Sequence, residues 1–390
     1  MAAIARQQQE PLEHELAALT GRMRAMILRS LASRALIDRR HVACAIATAD
    51  ARVVQIDNPA RLAVADAVLR SVLAAFGGKF ADGDVVLTND PFSGGTHLQD
   101  VTFVTPIFLQ GELVGYGIVQ VPLPDIGGMA LGGYYPRASE IWAEGVRVTP
   151  VKCYRGGQLQ RDALTMLLLN SRLPHLIEKD LEIVVGALEQ CKTEVASLNV
   201  QYTSADYRQA LHDILADTEA RTRKAIQVLS PGNWRGESEP IHSCLQEQKF
   251  RVVVHLRVTD GTVSLDFSGS SAAAQGFINM TASTTMAAAT IPFYSLWPSL
   301  PANDGVLQTF SFFIPEGSLL HARLPLSVGW STYQPSLSVA QAVAACLRQA
   351  QSERGPVVTQ IEGMFSLPPL PFMVTGCGRP GCPFPSLPRA

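Results

Sequence analysis

The sequence predicts an α+β fold in three parts: an N-terminal α/β domain, a helical middle segment and a C-terminal part with antiparallel strands. Two short runs rich in β-branched residues, at 85–87 and 101–104, frame a turn-forming loop in the first part. Apolar residues recur every three or four positions through much of 161–229, as they do in amphipathic helices. Alternating apolar residues flank the turn at Asp260 and Gly261, which is the strongest hairpin signal in the chain.

The order of these patterns predicts each element and the domain limits. Helical spacing predicts a first helix over 10–36, and Gly77 ends a second helix that begins at residue 60. The remaining predicted elements are strands at 41–48, 52–56, 112–121, 250–258, 262–267, 308–313 and 318–322, and helices at 161–170, 176–198, 204–217, 218–229 and 281–297. We place the three parts at 1–155, 156–232 and 233–355.

Composition and charge exclude several classes of protein. The 390 residues are 47% hydrophobic, which is enough for a substantial core, and carry 32 basic and 34 acidic side chains. This balance argues against nucleic acid as the main partner, because phosphate binding needs a clear basic excess. We expect no membrane helix, since the chain lacks a continuous apolar run of about 20 residues. Charges at Arg6, Glu10 and Glu13 interrupt the segment where a signal peptide would be apolar, so we expect a cytoplasmic protein.

The loop after residue 88 is rich in turn-forming residues. Asn89 and Asp90 precede a proline and end the first strand, because their side chains bond to nearby backbone groups. Gly94 and Gly95 allow positive φ and a close approach to a ligand or another strand. The sequence therefore predicts a rigid frame with a polar tip.

That tip carries His97 and Asp100, an imidazole and a carboxylate three residues apart. Both can reach one divalent ion, the carboxylate as a hard ligand and the imidazole as a borderline one. The alternative is a polar loop in which both side chains cap backbone groups. Spacing alone leaves both interpretations open.

Other candidates lie between residues 120 and 152. The glycine- and tyrosine-rich loop 127–136 is able to cover a pocket, or it is an ordinary surface loop. Glu140 and Glu144 are paired carboxylates that can serve acid and base roles, but at this spacing they are equally consistent with solvated side chains or with pairing to Arg137, Arg147 or Lys152. No catalytic residue is assigned. The candidate pocket-lining residues are Asn89, Asp90, Gly94, Gly95, Thr96, Asp125, Gly127, Gly128 and Glu140.

A long segment gives the chain a family resemblance. Residues 89–106 read NDPFSGGTHLQDVTFVTP, which closely resembles the signature of the hydantoinase B, 5-oxoprolinase and acetone carboxylase alpha-subunit family. Further matches follow in the family's order: PDIGG at 124–128, SEIWAEG at 139–145, PVK at 150–152, LDFSGSS at 265–271, GFIN at 276–279 and PEG at 315–317. The resemblance covers roughly residues 10–350 and implies a multi-layer mixed α/β fold of the hydantoinase B type.

The resemblance also implies a metal site. His97 and Asp100 match two family ligands, and His41 follows an Arg-Arg pair where the family has a metal-binding aspartate. The residues alone favour another interpretation, in which His41 is a partly buried imidazole at a strand start, bonded to backbone. The family usually has two histidines before its Ala-Asp-Ile-Gly-Gly, whereas this chain has Pro122 and Leu123, neither of which can coordinate an ion. A three-ligand site for zinc or manganese is therefore the prediction.

The same resemblance implies a partner and a reaction class. Residues 1–390 contain no Gly-x-x-x-x-Gly-Lys-[Ser/Thr] phosphate loop, and in this family ATP is handled by a hydantoinase A-type subunit. We therefore expect a hetero-oligomer that opens a cyclic amide such as a hydantoin or 5-oxoproline. A degenerate, non-catalytic subunit and an acetone or acetophenone carboxylase subunit are the alternatives.

The last 35 residues differ from the rest of the chain. Residues 356–390 hold eight prolines and do not resemble the family, whose members usually continue with further domain sequence. Prolines this frequent prevent helices and central strands, so we expect a disordered tail. The expectation is a truncated or frame-shifted family member that lacks part of its last domain.

Overall fold

The computed structural model describes residues 2–351. The expected tail at 356–390, and the last residues of the predicted third domain, lie outside the described residues. Of the seven cysteines, five lie in the described part, and all five are buried: Cys44, Cys153, Cys191, Cys244 and Cys346.

Most of the chain is helix and strand. The helices are α1 Ala2–Ser30, α2 Leu62–Phe76, α3 Arg161–Leu168, α4 Pro174–Ser197, α5 Ser204–Ile226, α6 Ala282–Leu296, α7 Asp304–Leu307 and α8 Gln334–Ala350. The strands are β1 Ala43–Thr48, β2 Val53–Ile56, β3 Val85–Thr88, β4 Asp100–Leu109, β5 Glu112–Pro122, β6 Val151–Arg155, β7 Gln158–Leu159, β8 Gly232–Glu237, β9 Ile241–His242, β10 Lys249–Phe250, β11 Val253–Thr259, β12 Thr262–Asp266 and β13 Phe310–Phe313. The mixed α and β character that the sequence predicts is confirmed.

The larger sheet has seven antiparallel strands in the order β2-β1-β5-β4-β3-β6-β7. Successive side chains of β1 pack into two different hydrophobic cores, one on each face of the sheet, because successive residues of a strand point to opposite faces. Cys44 and Ile46 pack with the layer of α1, α4 and α5, whereas Ala43 and Ala45 pack with α2 and α6. The sheet is thus buried on both faces, which explains why its central strands read as almost continuous apolar runs.

A second, four-stranded sheet has the order β13-β12-β11-β8. Helix α8 packs on this sheet and against α6, and α6 in turn packs on α2, so the two sheets belong to one layered stack. The β11–β12 hairpin turns at Asp260 and Gly261, with Thr259 opposite Thr262, as predicted. The exposed face of β11 carries His255.

Several predicted limits are wrong for identifiable reasons. The first helix ends at Ser30 rather than 36, because the Asp180 carboxylate accepts hydrogen bonds from the amides of Ala32 and Ser33 just beyond it. The helices predicted at 204–217 and 218–229 are one helix, α5, in which Thr218 is buried and accepts a hydrogen bond from the Asn303 amide.

Residues 318–322 form turns rather than the predicted strand. A single bridge joins Ser318 to Ala272, and Leu319 and Ala322 make isolated backbone bonds to Met280. Because the segment bonds to two different neighbours in turn, it has no continuous partner with which to build a ladder.

Candidate metal centre

The loop between β3 and β4 is held in shape by its first two side chains. The Asn89 amide nitrogen donates to the Leu98 carbonyl at 2.8 Å, across the base of the loop. The Asp90 carboxylate accepts hydrogen bonds from the Phe92 amide and the Ser93 hydroxyl. Since these bonds replace those of a regular turn, the loop has a defined conformation up to the start of β4.

Three buried side chains, those of His41, His97 and Asp100, form a cluster that we call the triad. His41 Nδ1 lies 3.1 Å from Asp100 Oδ1, and His97 Nδ1 lies 3.2 Å from Asp100 Oδ2. One ligand atom from each residue lies within 4.8 Å of the other two. Two imidazoles and a carboxylate are a common donor set for a catalytic metal with an open fourth position. The triad is therefore able to hold a metal ion.

The strand order explains why these distant residues meet. Strand β5 lies between β1 and β4, with Ala43 opposite Gln120 and Asp100 opposite Pro122. The start of β1, the end of β5 and the start of β4 therefore share one edge of the sheet. The prediction that His41 begins a strand is wrong. This residue ends a short 3₁₀ turn just before β1.

Pro122 lies directly across the ladder from Asp100. Side chains at such paired positions approach within about 5.5 Å, so a ligand at position 122 would reach the triad. Proline has no side-chain atom that can coordinate an ion, so position 122 adds no candidate ligand to the triad.

Asp100 also contacts a buried cation that the sequence did not single out. Arg61 Nη1 donates to Asp100 Oδ2 at 2.6 Å, and the Thr96 hydroxyl donates to the same oxygen at 2.6 Å. Burial raises the pKa of Asp100, but the charge of Arg61, together with His97 and the hydrogen bond to His41, outweighs burial and holds that pKa well below its usual range. The carboxylate is therefore ionised and fixed in orientation.

His41 is kept neutral by its surroundings. Burial lowers the pKa of His41 and exceeds the opposing effect of Asp100, while Arg61 lowers it further. A neutral imidazole keeps the lone pair that a metal ion requires. The protonation states of His41 and Asp100 thus fit a metal-binding role.

Two tyrosines from distant parts of the chain cover the triad. The Tyr134 hydroxyl, from the glycine-rich loop, lies 3.4 Å from His97 Nε2 and 2.7 Å from the Tyr333 hydroxyl. The Tyr333 ring lies 5.3 Å from the His41 ring, centroid to centroid. Burial raises the pKa of both phenols, so both hydroxyls remain protonated and can donate hydrogen bonds.

A cavity of about 290 Å³ opens beside the triad. One wall comes from the N-terminal part and carries His41, Arg61 and Thr96; the other comes from α6, α8 and Tyr333. Small side chains such as Ala287 leave the space open. His41 is the triad residue that lines this cavity, and the volume suits a small organic molecule.

The predicted pocket-lining residues fall into different places. Thr96 lines this cavity, and Gly94 lines a second cavity of about 350 Å³ on the other side of the loop. Asn89, Asp90 and the Gly95 carbonyl are used in bonds that shape the loop.

The remaining candidates lie further along the chain. The buried carboxylate of Asp125 accepts two hydrogen bonds from Arg172. One comes from the backbone amide of Arg172 at 2.6 Å and the other from its guanidinium at 2.9 Å. Gly127 and Gly128 have positive φ and pack against backbone atoms of Asn170 and Glu144. Their role in this structure is to shape the segment that leads into the glycine-rich loop.

Glu140 and Glu144 occupy opposite environments. Glu140 is exposed, whereas Glu144 is fully buried and accepts hydrogen bonds from the Ser327 hydroxyl (2.5 Å) and the Gly329 amide (2.7 Å). The pairing of Glu144 with Arg147 or Lys152 that we considered is wrong, because those cations bind Asp90 and Asp84 instead. The two carboxylates do not form an acid–base pair.

Sequence reasoning did not identify Arg61 or Tyr333. The only sequence signal at Arg61 is a charged residue at the start of a mostly apolar, alanine-rich helix. Tyr333 lies more than 200 residues from His97, and no pattern in the sequence connects them. Both contacts arise from tertiary packing.

The fold and the buried triad define a class: a multi-layered α+β protein with a candidate metal centre at one edge of its main sheet. The family model for Hydantoinase B/oxoprolinase matches residues 8–364. The chain therefore belongs to this family, and the family resemblance seen in its sequence is confirmed.

Known proteins agree with this assignment. Caprolactamase subunit beta of Pseudomonas jessenii is 30% identical over 304 residues, which are 76% of this chain and 52% of that subunit. The crystal structure of ATP-dependent caprolactamase from the same organism has a TM-score of 0.84 at 24% identity and covers 90% of this chain and 61% of that chain. A nucleotide-free acetone carboxylase structure has a TM-score of 0.79 at 18% identity, over 88% of this chain and 47% of that chain. Both structural likenesses show the hydantoinase B-type fold.

The chain thus spans about half the length of the caprolactamase subunit that it matches. Across the described residues, every helix is too short or too polar to cross a membrane.

Proposed function

We propose that this chain is the hydantoinase B-type subunit of an ATP-dependent hydrolase that opens a cyclic amide of the hydantoin or 5-oxoproline class. The observation that carries the proposal is the triad of His41, His97 and Asp100, buried beside a cavity of about 290 Å³. Family membership supports the reaction class, since related chains are named as caprolactamase and oxoprolinase subunits or enzymes.

The three triad residues would hold a zinc or manganese ion. When bound, the ion would polarise the amide carbonyl or activate a water molecule. The chain's own groups prepare the centre: His41 is neutral, and Arg61 and Thr96 fix the orientation of the Asp100 carboxylate. Such partners of a ligating carboxylate set its geometry and its basicity. The tyrosine pair limits the access of water from one side.

We propose a hydantoinase A-type partner in a cytoplasmic hetero-oligomer, with ATP bound by that partner. A subunit named beta implies a second kind of subunit in the caprolactamase of P. jessenii, and the solved caprolactamase is described as ATP-dependent. The sequence of the present chain has no phosphate-binding loop motif, which fits a division of labour between subunits.

A non-catalytic subunit is the alternative that one observation favours. Pro122 removes the donor expected across from Asp100, and Arg61 already neutralises that carboxylate. A cation beside the ligands weakens the attraction for a second cation. In this alternative, the chain keeps the fold and its partner interface but binds no metal. A role in acetone or acetophenone carboxylation is a further variant, supported only by the shared fold.

Elemental analysis of the purified chain, alone and with a hydantoinase A-type partner, tests the proposal. We expect about one zinc or manganese ion per chain, lost in His97→Ala because two ligands cannot retain it. His255→Ala is the matched control, since His255 is exposed on β11, and it should keep the metal. Metal-loaded wild type with its partner should then open hydantoin or 5-oxoproline when ATP is supplied.

The opposite result is equally informative. A folded wild-type chain that holds no metal, both alone and with its partner, would contradict the metal-dependent hydrolase and support the non-catalytic subunit.

A further inference from the structure

We propose that Arg61 contacts the substrate directly and binds the oxygen of the reacting carbonyl as the amide becomes a carboxylate. This inference rests on the proposed amide-opening function and adds a residue to it. Three features of Arg61 carry it: its burial, its incomplete hydrogen bonding and its place in the cavity wall.

The position of Arg61 is set by local structure. It ends the short 3₁₀ turn Pro59–Arg61 that leads into α2. Asn58 anchors this turn, because its side chain accepts from the Ala60 amide at 3.2 Å and donates to the Arg40 carbonyl at 2.7 Å. The Arg61 side chain is 5% exposed and lines the cavity beside the triad. Its guanidinium is therefore held at the cavity wall with little freedom.

The hydrogen bonding of Arg61 is incomplete. Among residues 2–351, its hydrogen-bond acceptor is the Asp100 carboxylate, reached through Nη1 at 2.6 Å. A guanidinium has five N–H groups in a planar fork, and one contact leaves most of them for another acceptor. A buried cation with spare donors is costly unless a ligand or water satisfies them. The cavity is the space in which such a ligand would sit.

The other arginines of the cavity make more hydrogen bonds. Arg40 binds Asp38 through two nitrogens, at 2.9 and 2.5 Å. Arg24 donates to the Val42 carbonyl at 3.2 Å and lies 3.5 Å from Asp57. Of these three arginines, Arg61 is the one that contacts the triad directly. It donates to the same Asp100 carboxylate that lies beside the His41 and His97 imidazoles.

The reaction creates the charge that Arg61 would meet. Water oxygen forms a bond to the carbonyl carbon, and the π electron pair moves to the carbonyl oxygen, which becomes an oxyanion. When this intermediate collapses, the C–N bond breaks and the ring nitrogen takes the proton that the water releases. The second proton of the water then passes from the carboxylic acid to the amine, so amide and water become a carboxylate and an ammonium group, and the carbon that began with one neutral oxygen ends with two that share a negative charge. A fixed cation is most useful where such charge develops.

Acetate and acetamide are a matched pair of probes for this site. They have the same size, and acetate alone carries the charge of the ring-opened product. We would titrate the purified chain with each, at constant ionic strength, and follow the ring nitrogens of ¹⁵N-labelled histidines. We expect acetate to shift His41 and His97 with a single saturating curve and acetamide to bind at least about tenfold more weakly, as charge-assisted bonds predict.

Arg61→Lys keeps the charge beside Asp100 but removes the planar fork. We expect it to weaken acetate binding about tenfold while leaving metal content and the circular dichroism spectrum unchanged. The control is Arg70→Lys on the adjoining helix α2, where Arg70 is 52% exposed and paired with Asp66 at 2.7 Å. This variant should bind acetate as the wild type does.

Two results would overturn the inference. If acetate binds the metal alone, Arg61→Lys will bind it as tightly as the wild type. Equal binding of acetate and acetamide by the wild type, or binding of neither, would reject the inference even if Arg61→Lys failed to fold. The titrations of the wild type and of Arg61→Lys do not need catalytic turnover. A failure to open hydantoin or 5-oxoproline would therefore count against the proposed function only. The role of Arg61 would still be decided by the titrations.

Discussion

Asp100 contacts three groups that carry or can carry positive charge: the Arg61 guanidinium and the imidazoles of His41 and His97. Their combined effect keeps a buried carboxylate ionised, with its orientation set by Arg61 and Thr96. The centre is therefore preorganised, because its charge and geometry exist before any ligand enters. Preorganisation of this kind lowers the cost of binding a charged ligand.

Glu144 makes a testable contribution at the same scale. Burial raises the pKa of Glu144 to about 7 from its ordinary value of 4.5, despite hydrogen bonds from Ser327 and Gly329. The folded chain thus keeps this proton to higher pH than the unfolded chain does. The associated stability is fully present below pH 4.5, declines as the pH rises, and is lost above about 7. Glu144→Gln has no such proton, so between pH 4.5 and 8 the wild type should lose about 3 kcal/mol more free energy of unfolding than this variant.

Urea denaturation across that pH range measures the difference. Glu140→Gln is the matched control, because Glu140 lies four residues earlier in the same segment and is exposed. Its pH profile should follow the wild type. If the free energy of unfolding of Glu144→Gln and that of the wild type changed with pH in parallel, Glu144 would titrate in the folded chain as it does in the unfolded chain.

At the scale of elements, the unit that matters is β3, the loop and β4. Strand β4 is buried along almost its whole length and pairs with β3 on one side and β5 on the other. This pairing fixes Asp100 at the first position of the strand, and the loop brings His97 to it. Gly94 makes the loop possible: its φ is +100°, and a Cβ there would lie 2.7 Å from the Ala67 carbonyl carbon in α2.

Gly94→Ala should therefore lower the free energy of unfolding by about 3 kcal/mol, through backbone strain and the clash with Ala67. It should also reduce metal content, because the loop carries His97. Gly21→Ala is the control: Gly21 lies within α1, and no atom lies within 4 Å of an added Cβ. This change should stabilise the chain by up to about 1 kcal/mol. Chemical denaturation of both variants tests the contrast, and equal stabilities would refute it.

At the scale of the whole molecule, the centre lies where two parts of the chain meet. The N-terminal part supplies the triad and Arg61, and the C-terminal part supplies Tyr333 and the wall formed by α6 and α8. Ser331 strengthens this junction, because its hydroxyl donates to the Thr96 carbonyl at 3.1 Å. We propose domain limits near residues 155 and 232, which limited proteolysis can test.

The hydroxyl contact between Tyr134 and Tyr333 joins the two parts directly over the triad. In a double-mutant cycle of Tyr134→Phe and Tyr333→Phe, the free energies of unfolding should show a coupling of about 1 kcal/mol, the usual net value of one hydrogen bond. Urea denaturation of the wild type, the two single variants and the double variant provides the four values. Strictly additive losses would mean that the two phenols stabilise the junction independently.

The sequence by itself determined the local structure and two of the triad residues. The periodicity of apolar residues predicted most helices and strands, and the Asp260-Gly261 turn predicted a hairpin. The spacing of His97 and Asp100 on a glycine-containing loop indicated a pair of metal ligands. These features depend on residues close together in the chain, whose interactions follow from backbone geometry and spacing. His41 entered only through the family resemblance, since nothing in its own surroundings distinguishes it from an ordinary histidine.

The tertiary structure alone decided what surrounds that pair. Strand order brought position 122 across from Asp100, and the packing of α2 placed Arg61 on the same carboxylate. The return of the chain after residue 327 placed Tyr333 over the imidazoles. The same returning segment buries Glu144, whereas Glu140, four residues earlier, remains exposed. Burial and long-range contact set the charge state of a side chain, and neither is encoded in the few residues beside it.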